Sequence, residues 1–434
     1  MRKVAFYINN ATLSSVDCKG ITVANPGIGG SEYQFILISY LLMQRHNGLD
    51  VKVYTTAEGI FPDGFCYEIV SELTAAVTAA ERWGAEYLVF KHEVGHILER
   101  TLEQIRSSVK LISWCHIFVS ELECDYYTRC SSIYKVINVG REMNDLYRDH
   151  PIYEKSTYIY NAVNTEGCRP IAKSHPFAQR KPVITYVGSI VPFKGLHWLA
   201  EAWHDIIKEV PDAQLYIIGS GQLYGRDKKL GKFGIAEASY EEILMAHFSQ
   251  DGRIMDNVHF TGILGEEKND ILLQAKVGIP NPSGISETFG ISAVEMQMMG
   301  CKVATMRCPG YLDTVKNGIL YKNREKMATT VVRLLKSNDE TGYDEAMDYF
   351  DQHFSLDAVV SRWETLFLQG DLDTNQSMMH PSYRGKWAKD FLRQVKKFIP
   401  TLPTIERILD SIDRRLKRYR FYYPESYATP GKDF

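Results

Sequence analysis

The strongest constraint on this chain is an alternation of elements that runs along it twice. Short apolar runs at 4–8, 51–54, 87–90, 109–113 and 134–139 are separated by stretches of helical spacing, beginning with 31–44. The pattern restarts at 182–188, after a polar, proline-containing stretch at 167–181. Parallel strands need long crossovers, and these are usually helices, so the alternation predicts parallel sheets covered by helices on both faces. Two runs predict an α/β chain of two Rossmann-like, doubly wound domains facing a cleft, at 1–170 and 181–365, followed by a tail at 370–434. With 434 residues, 45% of them hydrophobic, there is apolar material for two ordinary cores.

Composition narrows the partners. A net charge of −3 gives no general case for nucleic acid. Eight cysteines occur without a C-x-x-C pair, which predicts reduced thiols and a cytoplasmic setting. Arg2 and Lys3 precede an apolar run too short for a signal peptide, and no stretch approaches the ~18 apolar residues of a membrane span.

The segment from Asn281 to Gly300 carries two glutamates eight residues apart, Glu287 and Glu295. It reads as the end of a buried strand (277–280), a polar turn, then a helix over 288–299 stopped by Gly300. Glu287 then stands at the mouth of the helix and Glu295 roughly 12 Å further along its axis. A helix N-terminus offers unpaired N–H groups and a positive dipole end, which suit a phosphate. Carboxylates on either side of that point suit hydroxyl groups. The layout matches a sugar and a ribose joined through a diphosphate.

This segment, with Thr288, Phe289 and Gly290 after the first glutamate, resembles the E-x7-E signature of retaining nucleotide-sugar glycosyltransferases of the GT-B architecture, family 4 type. The resemblance extends to 187–195, to 215–219 and 258–262 as the following strands, and to Pro309-Gly310-Tyr311-Leu312-Asp313. In the first half it takes in the glycine loop 27–32 and the interdomain segment 159–163. It covers about residues 1–365. It implies transfer of a sugar from a nucleoside-diphosphate sugar, a UDP-sugar favoured, to a glycan, glycolipid or polysaccharide acceptor, without a metal. No Asp-x-Asp pair stands ready to hold one.

The resemblance also implies roles. Lys194 grips the diphosphate together with the helix N-terminus at Phe289, Gly290 and Ile291. Glu295 holds the ribose hydroxyls and Glu287 those of the transferred sugar. Gly29 and Gly30 let backbone N–H groups approach the phosphates. His116 ends the apolar run 111–115, so its imidazole is expected at the carboxyl end of a strand, where open α/β sheets gather ligands. The family often has a histidine there, near the donor sugar. Ser189 stands where the family usually has an arginine. That departure admits a non-catalytic, nucleotide-binding relative, or a substitute cation from the long connection 221–256, where Arg226, Lys228 and Lys229 lie. This connection predicts a helix plus a charged loop at 225–232.

Two features compete or stand apart. His92-Glu93-Val94-Gly95-His96 fits H-E-x-x-H, the zinc-hydrolase helix, with Glu99 or Glu103 as third ligand. Its place after an apolar strand argues against metal chemistry. A sugar-nucleotide epimerase shares the fold without a reason for the paired glutamates. The tail is basic: 384–420 holds twelve Lys/Arg against four Asp/Glu, a net of +8, so the remainder carries −11. Trp387, Phe391 and Val395 form one apolar stripe. Ile405, Ile408, Leu409, Ile412, Leu416 and Tyr419 form another, beyond Pro400 and Pro403. Such helices lie on an anionic membrane surface, or pack on the body or another subunit.

Overall fold

The computed structural model describes residues 1–45, 48–93, 101–103, 105–223, 229–372 and 386–415. The first sheet has seven parallel strands: β1 (Arg2–Ile8), β2 (Leu49–Thr55), β3 (Tyr67–Ile69), β4 (Tyr87–Lys91), β5 (Lys110–Cys115), β6 (Ile133–Asn138) and β7 (Ser156–Tyr158). Their spatial order is β3-β2-β1-β4-β5-β6-β7. The chain winds outward from β1 to one edge, then returns to β4 and winds to the other. That reversal leaves a crevice at the carboxyl ends of β1 and β4, beside His116 at the end of β5.

The second half forms β8 (Val183–Val187), β9 (Gln214–Ile218), a small antiparallel hairpin of β10 (Ser249–Gln250) and β11 (Arg253–Ile254), then β12 (Val258–Gly262), β13 (Val277–Ile279), β14 (Lys302–Met306) and β15 (Gly318–Tyr321). Its six-stranded parallel sheet runs β12-β9-β8-β13-β14-β15. Both sheets are doubly wound, as the alternation predicts. Strands β8 and β13 are apolar along their length, Thr185 apart, because both of their faces are covered.

The expected helix over 288–299 is shorter, Ile291–Met298, because Gly290 lies in the left-handed region at φ 81° and belongs to the turn. The long connection holds the helix Ala238–Phe248. Its Glu241 carboxylate accepts from the backbone N–H groups of Phe233 and Ile235 and so organises the preceding loop. Arg226 and Lys228 lie outside the described residues, and Lys229 is exposed.

The domains are joined at two crossings that touch each other. Segment 159–163 leads from the first sheet to the second, and the Val163 N–H donates to the Phe354 carbonyl (2.8 Å). From there the helix Leu356–Gln369 returns to the first sheet, whereas the expected boundary runs the second domain to 365. Trp363 meets Trp114 edge-on at 4.7 Å, and Phe367 stacks on Trp363 at 5.6 Å. Arg45, at the end of the helix Gly30–Gln44, pairs with Asp357 and Glu364. The apolar face of this helix shows in sequence that it is buried, not against which sheet. Among the described residues, no helix is long and apolar enough to cross a membrane.

Candidate active site

The site begins where β8 ends. The turn Pro192–Lys194 is followed by Gly195 at φ 69°, and a Cβ there would stand 2.7 Å from Ser283 Cβ and 2.8 Å from its backbone nitrogen. Only glycine allows that approach. Ser283 fastens the turn: its hydroxyl lies 2.8 Å from the Phe193 carbonyl and 2.7 Å from Asn281 Oδ1. Asn281 Nδ2 in turn donates to Glu287 Oε2 (3.2 Å) and to the Ile285 carbonyl (3.0 Å). The loop closes on the Lys194 Nζ–Glu287 Oε2 ion pair at 2.9 Å. Lys194 and Glu287 are therefore adjacent members of one hydrogen-bonded ring, both mostly buried.

Ser286, just before Glu287, holds a left-handed backbone at φ 57°. A non-glycine residue pays for this conformation, and such residues cluster where function demands a shape. Gly310 braces the same turn from behind: a Cβ on it would meet Phe289 N at 2.6 Å and the Glu287 carbonyl at 2.8 Å. The Pro309-to-Asp313 motif thus buttresses the glutamate turn with its glycine.

The helix Ile291–Met298 has no side-chain cap at Gly290, so its first-turn N–H groups suit an anion. The glycine loop faces this point. The helix Gly30–Gln44 likewise begins at Gly29 without a side-chain cap, and a Cβ on Gly30 would come within 3.5 Å of Ile291 Cδ1. Two helix N-termini, one from each domain, therefore converge. Phe289 does not join them with its side chain: the ring is buried against Tyr160 and Phe354. It anchors the turn to both domain crossings.

Glu295 lies further along the helix and pairs with Lys268 (2.9 Å), whose side chain is buried. The Glu295 charge also reaches Tyr33 of the first domain, whose hydroxyl is raised by burial first and by that carboxylate second. The sequence offered no sign of Lys268. It starts a short helix, Lys268–Gln274, in a segment without a recognisable motif.

Across the cleft, Thr288 Oγ1 donates to the His116 carbonyl (2.7 Å), which puts the glutamate turn directly against the end of β5. The His116 ring packs on Trp114 and Phe35, at 4.7 and 5.9 Å. Its Nε2 is shut off from solvent and has no hydrogen-bond partner among the described residues. Burial pushes the imidazole down to about 3, outweighing the opposing pull of Glu32. His116 is therefore a neutral group at ordinary pH. Glu32, in the first turn of Gly30–Gln44, is paired with Lys91 at the end of β4.

Ser189 is buried, and its hydroxyl bonds to the Ser220 carbonyl (3.4 Å). It offers the site no charge. His92 does not lie on a helix: its Nδ1 sits 2.7 Å from the Tyr127 hydroxyl and its Nε2 3.6 Å from Glu123. These are the contacts of a buried core histidine, not of a helix face with two ligands. Val94, Gly95, His96 and Glu99 lie outside the described residues. Among the described residues, no group of three His, Cys, Asp or Glu side chains could hold a metal ion.

Comparison with known proteins bears on the half that contributes both glutamates. Residues 181–337 match the family model described as glycosyl transferases group 1. This half is a group 1 glycosyl transferase domain. The O-antigen chain mannosyltransferase C of Escherichia coli is 26% identical over 191 residues, covering 42% of this chain and 45% of that protein. The match thus spans less than half of that relative. Among solved structures, HepE of Anabaena in complex with UDP and glucose superposes with a TM-score of 0.60 at 15% identity, over 85% of this chain and 100% of HepE. WaaG, a glycosyltransferase involved in lipopolysaccharide biosynthesis, gives 0.55 at 14% identity, over 84% and 99%. The chain as a whole has the GT-B fold, and Lys194, Glu287 and Glu295 all lie within the glycosyl transferase domain.

Proposed function

We propose that the protein is a retaining glycosyltransferase that moves a sugar from a nucleoside-diphosphate sugar, a UDP-sugar, to a glycan or lipid-linked acceptor without a metal ion. The observation that carries this reading is the ring joining Lys194, Glu287, Asn281 and Ser283 at the uncapped N-terminus of Ile291–Met298. The diphosphate lies between Lys194 and that N-terminus, while Glu295, held by Lys268, takes the ribose hydroxyls. Glu287 takes hydroxyls of the transferred sugar, and neutral His116 meets that sugar from the first domain. The bond from the anomeric carbon to the phosphate oxygen breaks, and the acceptor oxygen attaches on the same face. The acceptor's proton passes to the departing phosphate. Fixed charge on the leaving group supplies most of the rate, as is usual where charge develops in a dry site. UDP in the HepE structure and the polysaccharide-building roles of the similar proteins support the donor and acceptor classes. The basic tail would bring the enzyme to the inner face of a membrane that carries such acceptors.

A screen of nucleotide-sugars for thermal stabilisation tests donor binding, since a ligand of the native state raises the melting temperature by mass action. Proton NMR of the first product, in chelator, then tests the rest. An inverted anomeric centre, or activity abolished by the chelator, overturns the corresponding part. Ser189 favours one other reading, a nucleotide-binding relative without turnover. Stabilisation by UDP-sugars with no UDP release to any acceptor would establish it.

A further inference from the structure

The tail helices are docked with the wrong face outward for a soluble protein. In the helix Lys386–Lys396, Lys389 and Lys396 turn toward the first domain. Lys389 Nζ donates to the carbonyls of Asp145 and Leu146 (3.2 and 3.0 Å) and pairs with Glu406 of the second tail helix (2.8 Å). Lys396 donates to the Asp149 carbonyl (2.8 Å), and the Asp149 carboxylate accepts from the Ile405 N–H (2.7 Å). Arg148 reaches back to Asp390 (3.1 Å). The polar face is thus consumed by the body.

The aromatic face is left in water: Trp387 is 79% exposed, Phe391 67% and Phe398 86%, with Ile399 beside them. In the helix Ile405–Arg415, Ile408 and Ile412 are also exposed. Ordinary packing would turn these stripes inward and leave the lysines to solvent. Burying Lys389 while exposing Trp387 makes sense only if another apolar phase receives the ring.

We infer that the exposed stripe Trp387–Phe391–Phe398 is a docking surface for an anionic lipid bilayer. Charge selects this occupant: the stripe lies in the +8 segment of a chain whose remainder carries −11. An isologous dimer through this face would set two such positive segments against each other. The chain's own body is already engaged by the opposite face. A bilayer interface accepts large aromatic side chains at headgroup depth and attracts basic residues such as the exposed Lys397. The inference does not depend on the transfer reaction.

The test uses the full chain and vesicles of phosphatidylglycerol mixed with phosphatidylcholine, with phosphatidylcholine alone as the comparison. The protein is expected to sediment with the anionic vesicles at low salt and to leave them as salt rises, because surface attraction is screened within a Debye length. The triple variant Trp387→Ser/Phe391→Ser/Phe398→Ser is expected to bind at least about 100-fold more weakly, with its melting temperature and solution mass unchanged. Failure of the full chain to sediment, or equal binding by the triple variant, overturns the proposal. A lowered melting temperature in the variant would show that the stripe packs on this chain itself, and loss of a dimer that it covers a second copy. Either result also overturns it.

Discussion

The two walls of the cleft are built on different electrostatic plans. The second domain presents two carboxylates, each held by its own lysine: Glu287 by Lys194 and Glu295 by Lys268. The first domain presents an uncapped helix start, a paired Glu32 and a histidine kept neutral by burial. Fixed charge for a diphosphate and its sugars therefore stands on one wall, and the other supplies shape and dipoles. In each pair the lysine fixes the direction of its carboxylate. On the proposed reading, the charged groups that bind the donor stand on the second domain alone, whereas productive geometry needs both walls.

The sharpest test of that division is the removal of Lys194. Lys194→Ala is expected to lower kcat by roughly 10²–10³, the scale of losing one preorganised electrostatic partner, with Lys194→Gln nearly as poor. Steady-state kinetics near the normal rate in either variant would show that the diphosphate charge is carried elsewhere.

The two glutamates come next. Glu295→Ala is expected to weaken nucleoside-diphosphate binding by about 1.5–3 kcal/mol, the size of a charged hydrogen bond, and Lys268→Ala is expected to do the same by releasing Glu295. Glu287→Ala is expected to spare the free nucleotide while impairing transfer. Calorimetric titration with UDP decides; equal losses in the Glu287 and Glu295 variants would merge roles that are separate here.

His116 sharpens the neutral side of the comparison. Its native pKa of about 3 lies below the ordinary ~6.5, so between these values the unfolded chain binds more protons. Its contribution to stability is present above pH ~6.5 and is lost as pH falls toward 3. Melting temperatures over that window are expected to fall less steeply in His116→Asn, and no rate inflection near pH 6.5 should be traceable to this residue. An inflection that vanishes in the variant would mean that the imidazole titrates in the cleft.

The smallest effect concerns the seam between the domains. Asp313 is buried there, accepting from the Glu142 N–H (2.9 Å) and the Tyr160 hydroxyl (3.2 Å). Burial, reinforced by Glu142, pushes it up to about 7. The native state then holds a proton that the unfolded chain releases near pH ~3.9, so this contribution is full below that value and is lost as pH rises through 7. Wild type is expected to lose melting temperature between pH 6 and pH 8, by roughly a few degrees, relative to Asp313→Asn. Parallel pH curves would place the proton elsewhere.

Much of this was legible in the sequence, for a definable reason. The doubly wound sheets follow from apolar periodicity. Glu287 and Glu295 were legible from their spacing, and Lys194 and Gly290 from the family resemblance of the segments that hold them. His116 was legible as the polar end of an apolar run. Ser189 and Phe289 were placed in the same motifs, but their side chains turn away, to the Ser220 carbonyl and to the aromatic seam at Phe354. Asn281 opened the motif without any indication that it ties Glu287 to the Lys194 turn.

What the sequence determined by itself is therefore local: which segments are strands, where the helix N-termini fall, and which residues stand at them. Repeat and spacing are properties of neighbouring residues. The tertiary structure alone decided that Lys268 holds Glu295, that the helix Leu356–Gln369 returns to the first sheet, and that the tail turns its lysines inward and its aromatic stripe outward. These outcomes depend on which of several similarly apolar or basic faces meet across long stretches of chain. A face's composition records that it needs a partner; only the packed fold selects which one it gets.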